Sequence, residues 1–154
     1  MTRLLCVCLG NICRSPTAEA VLRAVAAERG VPVTVDSAGT GGWHVGAPPH
    51  PPAIAAAARR GYDLTPLRAR RFTPDDFGRF DLILAMDRAN LDGIERQRPA
   101  GISTPARLFL PGREVPDPYY TGDYDAVLDL IEVGAGSLLD QLAQFDSAAA
   151  PNFT

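Results

Sequence analysis

The apolar run Leu4-Leu5-Cys6-Val7-Cys8 breaks at Gly10-Asn11, and Pro16 then stands where a helix can begin, with Ser15 before it as N-cap. This strand, tight loop and helix constrains the fold more than any other feature, because a strand that feeds directly into a helix belongs to a βαβ unit. The helical pattern runs through Ala18, Ala20, Val21, Leu22, Ala24 and Val25 to Gly30, a residue suited to a C-terminal cap. Val33-Thr34-Val35 predicts a second strand, and a Gly- and Pro-rich loop from Gly39 to Pro52 holds the only Trp. Ala53 to Arg60 reads as helix up to Gly61, and Thr73-Pro74-Asp75-Asp76 has the form of a capping box opening a short helix. Leu82 to Ala85 predicts a buried strand, Asp87 to Gln97 a helix and Arg107 to Leu110 a fourth strand. A last helix is expected from Asp123 to Phe145, with Val127, Leu130, Ile131, Leu138 and Leu142 inward and Asp123 and Asp125 at its start as cap and dipole partners. Ser147 to Thr154 is expected to fray.

Strands alternating with helices predict an α/β fold of three layers, a four-stranded parallel sheet between helices with right-handed crossovers. At 154 residues, 46% hydrophobic and 21% charged, the chain suits one domain over residues 1–154. Ligands bind such sheets at the carboxyl ends of the strands, so the loop Cys8 to Ser15 is a candidate phosphate-binding loop between the first strand and the first helix.

All fifteen basic residues are Arg, set against thirteen Asp and five Glu, for a net charge of -3. That balance disfavours a nucleic-acid or anionic-membrane surface. Residues 1–77 hold nine Arg and six acids, residues 78–154 six Arg and twelve acids, so an anion site is expected in the first half. The run Leu4 to Leu9 is too short for a signal-peptide core, and no stretch approaches the roughly 18 apolar residues of a membrane span. A cytosolic (cytoplasmic) chain is expected. Its Arg-only, Ala-rich composition suggests a GC-rich bacterial gene. Cys6, Cys8 and Cys13 crowd into eight positions, an odd count that staples no secreted domain and points to chemistry or burial.

Cys8-Leu9-Gly10-Asn11-Ile12-Cys13-Arg14 sets a thiol and a guanidinium six positions apart. A loop from strand to helix can turn successive N–H groups inward as an anion nest on the positive end of the helix dipole. Gly10 is expected to supply the backbone freedom of that curl. Arg14 can fold back to grip two phosphate oxygens with its planar fork, and the same field stabilises a Cys8 thiolate as a nucleophile. Such a loop needs no metal or other cofactor, because the amides and Arg14 balance the phosphate charge. Cys6 reads as a small buried hydrophobe, and Cys13 is open between burial and chemistry. Neither His44 nor His50 has a partner at metal-ligand spacing. Asp117, between Pro116 and Pro118 in the loop after the fourth strand, is stiffly presented.

The run Cys8 to Pro16 resembles the signature of the low-molecular-weight protein tyrosine phosphatases, in a chain of the usual length. Asp36-Ser37-Ala38-Gly39-Thr40, Trp43, Ala85-Met86-Asp87 and Asp117-Pro118-Tyr119-Tyr120 extend the resemblance over residues 3 to 145. It implies that Cys8 attacks phosphorus to form a cysteinyl-phosphate, that Arg14 and the loop amides hold its oxygens, and that Asp117 is the general acid and then base. Asn11 and Ser15 correspond to residues holding the thiolate and the loop, and Ser37 to a member of the same network. Trp43, Tyr119 and Tyr120 correspond to cleft walls suited to a phenyl phosphate, while Leu9, Ile12 and His44 match variable positions that tune selectivity. The implied partner is a phosphotyrosine protein, with a tyrosine kinase as counterpart, and the implied state a monomer or weak dimer.

Two positions depart from the pattern. Leu67 stands where many relatives have a His that supports the loop, and Gly42 where several have Asp or Asn. A thioredoxin-coupled arsenate reductase is a rival on the same fold, but it needs two further cysteines about seventy residues downstream, and no Cys follows Cys13. It also lacks the Asp-Pro-Tyr-Tyr element. A non-catalytic phosphotyrosine-binding or redox-sensing module would be expected to have lost the nucleophile or the acid, and both are present. A redox function can coexist with catalysis, through a Cys8–Cys13 disulfide that protects the nucleophile from irreversible oxidation.

Overall fold

Successive residues of the first strand enter opposite hydrophobic layers, and that alternation organises the molecule. A computed structural model describes residues 1–145; the segment Ser147 to Thr154 lies outside the described residues. The elements in chain order are β1 (Thr2–Cys8), α1 (Arg14–Arg29), β2 (Val33–Gly39), α2 (Pro51–Ala58), α3 (Asp76–Arg79), β3 (Leu82–Ala85), α4 (Arg88–Glu95), β4 (Ala106–Leu108), α5 (Pro118–Thr121) and α6 (Tyr124–Phe145). The strands pair in the order β2-β1-β3-β4, all parallel, with Cys8 opposite Gly39 and Val7 opposite Ala85. Leu4, Cys6 and Cys8 face α1 and α6, packing with Val21, Leu22, Leu128 and Ile131. Leu5 and Val7 face the other layer, with Phe72, Phe77 and Ile94. Both sheet faces are thereby covered, and the fold is a three-layer α/β/α sandwich. Each fully buried Leu or Ile in these layers contributes about 1.5–3 kcal/mol. Cys6 has no exposed surface, and burial pushes its thiol well above the ordinary range.

From β1 the chain crosses to β2 on one side and later to β3 on the other, so the carboxyl end of β1 sits at the switch point of the sheet, where the adjoining loops part to leave a crevice. The loop Leu9–Cys13 lies there.

Several boundaries differ from the sequence reading. Helix α1 starts at Arg14 with Cys13 as its N-cap and no side-chain cap bond, because the Ser15 hydroxyl is engaged with the Cys8 thiol instead. Gly30 does close α1, in the left-handed region at φ 68°. Strand β2 continues to Gly39 through small and polar residues that hide its alternation. Helix α2 opens two residues earlier than expected, on Pro51 and Pro52, and ends before Arg59. Only half of the expected box forms at α3, where the Asp76 carboxylate accepts from the Thr73 N–H at 2.9 Å. Helix α4 stops at Glu95, and β4 stops at Leu108 because the chain turns at Pro111-Gly112, bridging Leu110 to Arg113. The turn α5 falls where the sequence predicts a loop: four residues are too few for periodicity, although Asp117-Pro118 has the cap-and-Pro form of a helix start. Asp123 caps α6, accepting from the Ala126 N–H at 3.0 Å. No helix among the described residues is long and apolar enough to cross a membrane.

Candidate active site

Three carbonyls of the loop after β1 point away from its centre. Those of Cys8, Leu9 and Ile12 accept from the N–H groups of Thr40, Gly41 and His50 at 2.9, 2.9 and 2.8 Å. Peptide bonds here are trans, so the N–H groups of Leu9, Gly10 and Cys13, which follow those carbonyls, point the opposite way. Close approach of β2 is part of this arrangement: a Cβ on Gly39 would lie 2.8 Å from the Leu9 carbonyl oxygen and 3.1 Å from the Asn11 nitrogen.

The residue that takes the left-handed turn in this loop is Asn11, at φ 58°, and not Gly10. Asn tolerates that region better than other side chains with a Cβ. Its amide is the reason the turn is stable. Asn11 Nδ2 donates to Ser15 Oγ at 2.8 Å and to Ser37 Oγ at 3.0 Å, while Oδ1 accepts from the Arg70 N–H at 2.9 Å. At Gly10 a Cβ would come to 3.0 Å from the exposed His44 ring, which would have to shift to admit it.

Cys8 Sγ is 3.0 Å from Ser15 Oγ and accepts from the Asn11 N–H at 3.3 Å. The network runs on behind the loop: Ser37 Oγ donates to Glu19 Oε1 at 2.7 Å, and Glu19 pairs with Arg23 at 2.6 Å. Burial raises the Glu19 carboxyl above its ordinary range, opposed by Ser37 and Arg23. Arg14 is buried and donates from Nη1 to Asp87 Oδ2 at 2.7 Å and to the Val115 carbonyl at 3.0 Å, with Nη2 3.5 Å from Asp117 Oδ2. Burial opposes its charge, but Cys8, Asp87 and Asp117 outweigh it and the guanidinium stays protonated. Burial, with Cys8 and Asp117 nearby, pushes the Cys13 thiol up to about 12, so Cys13 is a neutral thiol at ordinary pH. All three cysteines are free.

A cavity of about 290 Å³ is lined by Cys8, Leu9, Gly10, Ile12, Cys13, Arg14, Trp43, His44, Asp117, Tyr119 and Tyr120. Asn11, Ser15 and Ser37 stand behind it, bonded to one another and not to its surface. Asp117 reaches the rim as the N-cap of α5, its Oδ1 accepting from the Tyr119 N–H at 3.0 Å. Tyr119 and Tyr120 meet edge to face with centroids 5.3 Å apart. Trp43, 73% exposed, lies against Gly41, where any Cβ would collide with its ring.

The sequence profile of the low molecular weight phosphotyrosine protein phosphatases matches residues 3–148. The chain belongs to this family. The family's low-molecular-weight protein-tyrosine-phosphatase YfkJ of Bacillus subtilis is 40% identical over 147 residues, covering 90% of this chain and 94% of its own. A protein of Synechocystis named a putative low-molecular-weight protein-tyrosine-phosphatase is 44% identical, over 92% of this chain and 97% of its own. The crystal structure of YfkJ superposes with a TM-score of 0.86 at 39% identity, covering 94% and 96% of the two chains. The protein tyrosine phosphatase of Entamoeba histolytica superposes with a TM-score of 0.89 at 32% identity, over 95% and 99%. The chain is thus an enzyme of the low-molecular-weight protein tyrosine phosphatase class.

Four groups that position the loop in this chain carry no role in the local sequence pattern. Asp87 aims Arg14, the Arg70 N–H holds Asn11, Glu19 accepts from Ser37 and the Val115 carbonyl accepts from Arg14. Only Asp87 had a usable signal: it is an acid at the carboxyl end of a strand, where ligands of parallel sheets bind. Leu67 packs beside Ala53, Ala57 and Leu64 and contributes an apolar contact.

Proposed function

We propose that the chain hydrolyses phosphotyrosine in proteins, and small aryl phosphates, through a cysteinyl-phosphate. Cys8 Sγ attacks phosphorus in line; the S–P bond forms as the bond from phosphorus to the phenolic oxygen breaks. Asp117 delivers its proton to the departing phenolate. The Asp117 carboxylate then takes a proton from water, whose oxygen attacks phosphorus; the S–P bond breaks, inorganic phosphate leaves and the Cys8 thiolate is regenerated. Arg14 and the inward N–H groups hold the equatorial oxygens throughout, stabilising charge that is spread over them in transfer. Trp43, Tyr119 and Tyr120 take the phenyl ring, whose length lets phosphorus reach Cys8 at the base of the cavity.

The observation that most supports this reading is the convergence on one cavity of the Cys8 thiol, a buried Arg14 held by Asp87 at 2.7 Å, and Asp117 within 3.5 Å of that guanidinium. The test is hydrolysis of an aryl phosphate across pH 4 to 8 with a chelator present. Activity should survive chelation, vanish in Cys8→Ser and lose its acid-dependent limb in Asp117→Ala. A reduced, folded parent without activity would sink the reading.

A further inference from the structure

Leu9 and Trp43 each line two hollows. On one side is the cavity over Cys8; on the other is a second cavity of about 400 Å³, walled also by Thr40, Arg71, Gly93 and Arg96, with no carboxylate in its lining. The Trp43 ring packs against Gly41, and Trp43 is common to the linings of both cavities. Arg71 extends its guanidinium along Gly42, where a Cβ would stand 3.6 Å from Nη1. Arg96 brings Nη2 to within 3.7 Å of the corresponding point on Gly93. Both arginines are exposed, and among the described residues neither forms an ion pair, as is also true of Arg68, Arg88, Arg107 and Arg113; Arg71 and Arg96 are the two of these six that line one cavity. Gly42 has no side chain to set between the Arg71 guanidinium and its surroundings.

We propose that this second cavity is a subsite for an acidic side chain, an Asp or Glu of the phosphoprotein close in sequence to its phosphotyrosine. The inference rests on the phosphatase reading and names its preferred substrate. Two guanidinium groups with planar donor forks suit a carboxylate, and the Thr40 hydroxyl and Gln97 amide add neutral donors. Because the cavities share a wall, one peptide can occupy both. An extended chain advances about 3.4 Å per residue, so with the phosphotyrosine in the first cavity, a side chain one to three residues away passes over Trp43 into the second.

The test compares three phosphotyrosine peptides, with Glu, Gln or Lys at the flanking positions, and phenyl phosphate, using the parent, Arg71→Gln/Arg96→Gln and Arg71→Glu/Arg96→Glu. The parent should hydrolyse the Glu peptide with kcat/KM roughly 5- to 10-fold above the Gln peptide, the scale set by two exposed charge pairs, and the ratio should shrink at high salt. The Gln double variant should treat the peptides alike, the Glu double variant should favour the Lys peptide, and all three proteins should hydrolyse phenyl phosphate equally. Equal rates of the parent on all peptides, or a Glu preference retained in the Gln double variant, would overturn the subsite while leaving the phosphatase reading intact. A parent inactive on phenyl phosphate would overturn both.

Discussion

Arg14 Nη1 stands 2.7 Å from Asp87 Oδ2, while Asp87 Oδ1 accepts from the Asn90 N–H at 2.7 Å as the N-cap of α4. One carboxylate thus ties the guanidinium of the loop after β1 to the start of the helix after β3. The two functions separate by substitution. Asn can still cap a helix, so Asp87→Asn should keep its melting temperature within a few degrees while kcat/KM on an aryl phosphate falls about 10- to 100-fold, the loss of a charged hydrogen bond. Asp87→Ala should lose the same activity and about 1 kcal/mol of stability besides, read from urea midpoints.

Asn11 combines a left-handed backbone with three hydrogen bonds from its side chain. Asn11→Gly keeps the backbone permissive and removes the bonds; Asn11→Ala loses both. Calorimetry should rank them parent, Gly, Ala, with Ala about 1–2 kcal/mol below Gly because a Cβ without a bonding side chain strains the left-handed region. Both should lower kcat/KM, since the loop N–H groups lose their fixed aim. A Gly variant as active as the parent would remove the network from catalysis.

Three acids have their protons held more tightly by the fold than by the open chain. Burial pushes Cys13 from its ordinary 9.0 to about 12, and, with further contributions from Glu132 for Tyr62 and Cys13 for Tyr124, pushes both tyrosines from 10.0 to about 12. Below pH 9 both states are protonated at these sites and the stabilisation is complete. As pH rises from about 9 to 12 the unfolded chain loses these protons first, so stability must fall across that window. Urea midpoints measured against pH should show the decline, and its slope should be shallower in Tyr62→Phe by the share of one proton.

Helix α6 crosses close to the end of the sheet at Gly134, where a Cβ would sit 2.5 Å from the Phe109 ring and 2.8 Å from Leu110. Both neighbours are buried. Gly134→Ala improves helix propensity, yet overpacking should dominate and destabilise the protein by about 1–3 kcal/mol in denaturant titrations, with activity of the folded protein retained.

Much of the fold was legible because its signals are local. Leu82 to Ala85 was read as a strand with its observed ends, and Gly30 as the cap of α1, since an apolar run and a left-handed glycine both announce themselves within a few residues. Readings failed where a side chain had a distant engagement. Ser15 has the form of an N-cap but turns to Cys8, seven residues away, and Gly10 was credited with a turn that Asn11 makes with help from Ser37 and Arg70. The strand β2 ran on past Val35 because its last residues pair with Leu5 to Cys8, a register that its own composition does not display.

The candidate site divides along the same line. The order of residues by itself determined the loop from Cys8 to Arg14, its place between strand and helix, and hence the proximity of thiol, amides and guanidinium, because five intervening positions and one helix start leave them little room to separate. Tertiary structure alone decided what holds Arg14 and what faces Cys8 across the cavity. Asp87 and Asp117 arrive from 73 and 103 residues downstream, at the ends of other elements, and their distances to Arg14 of 2.7 and 3.5 Å follow from strand register and helix packing. Contacts of that range are set by the summed packing of two hydrophobic layers, which no local pattern of residues encodes.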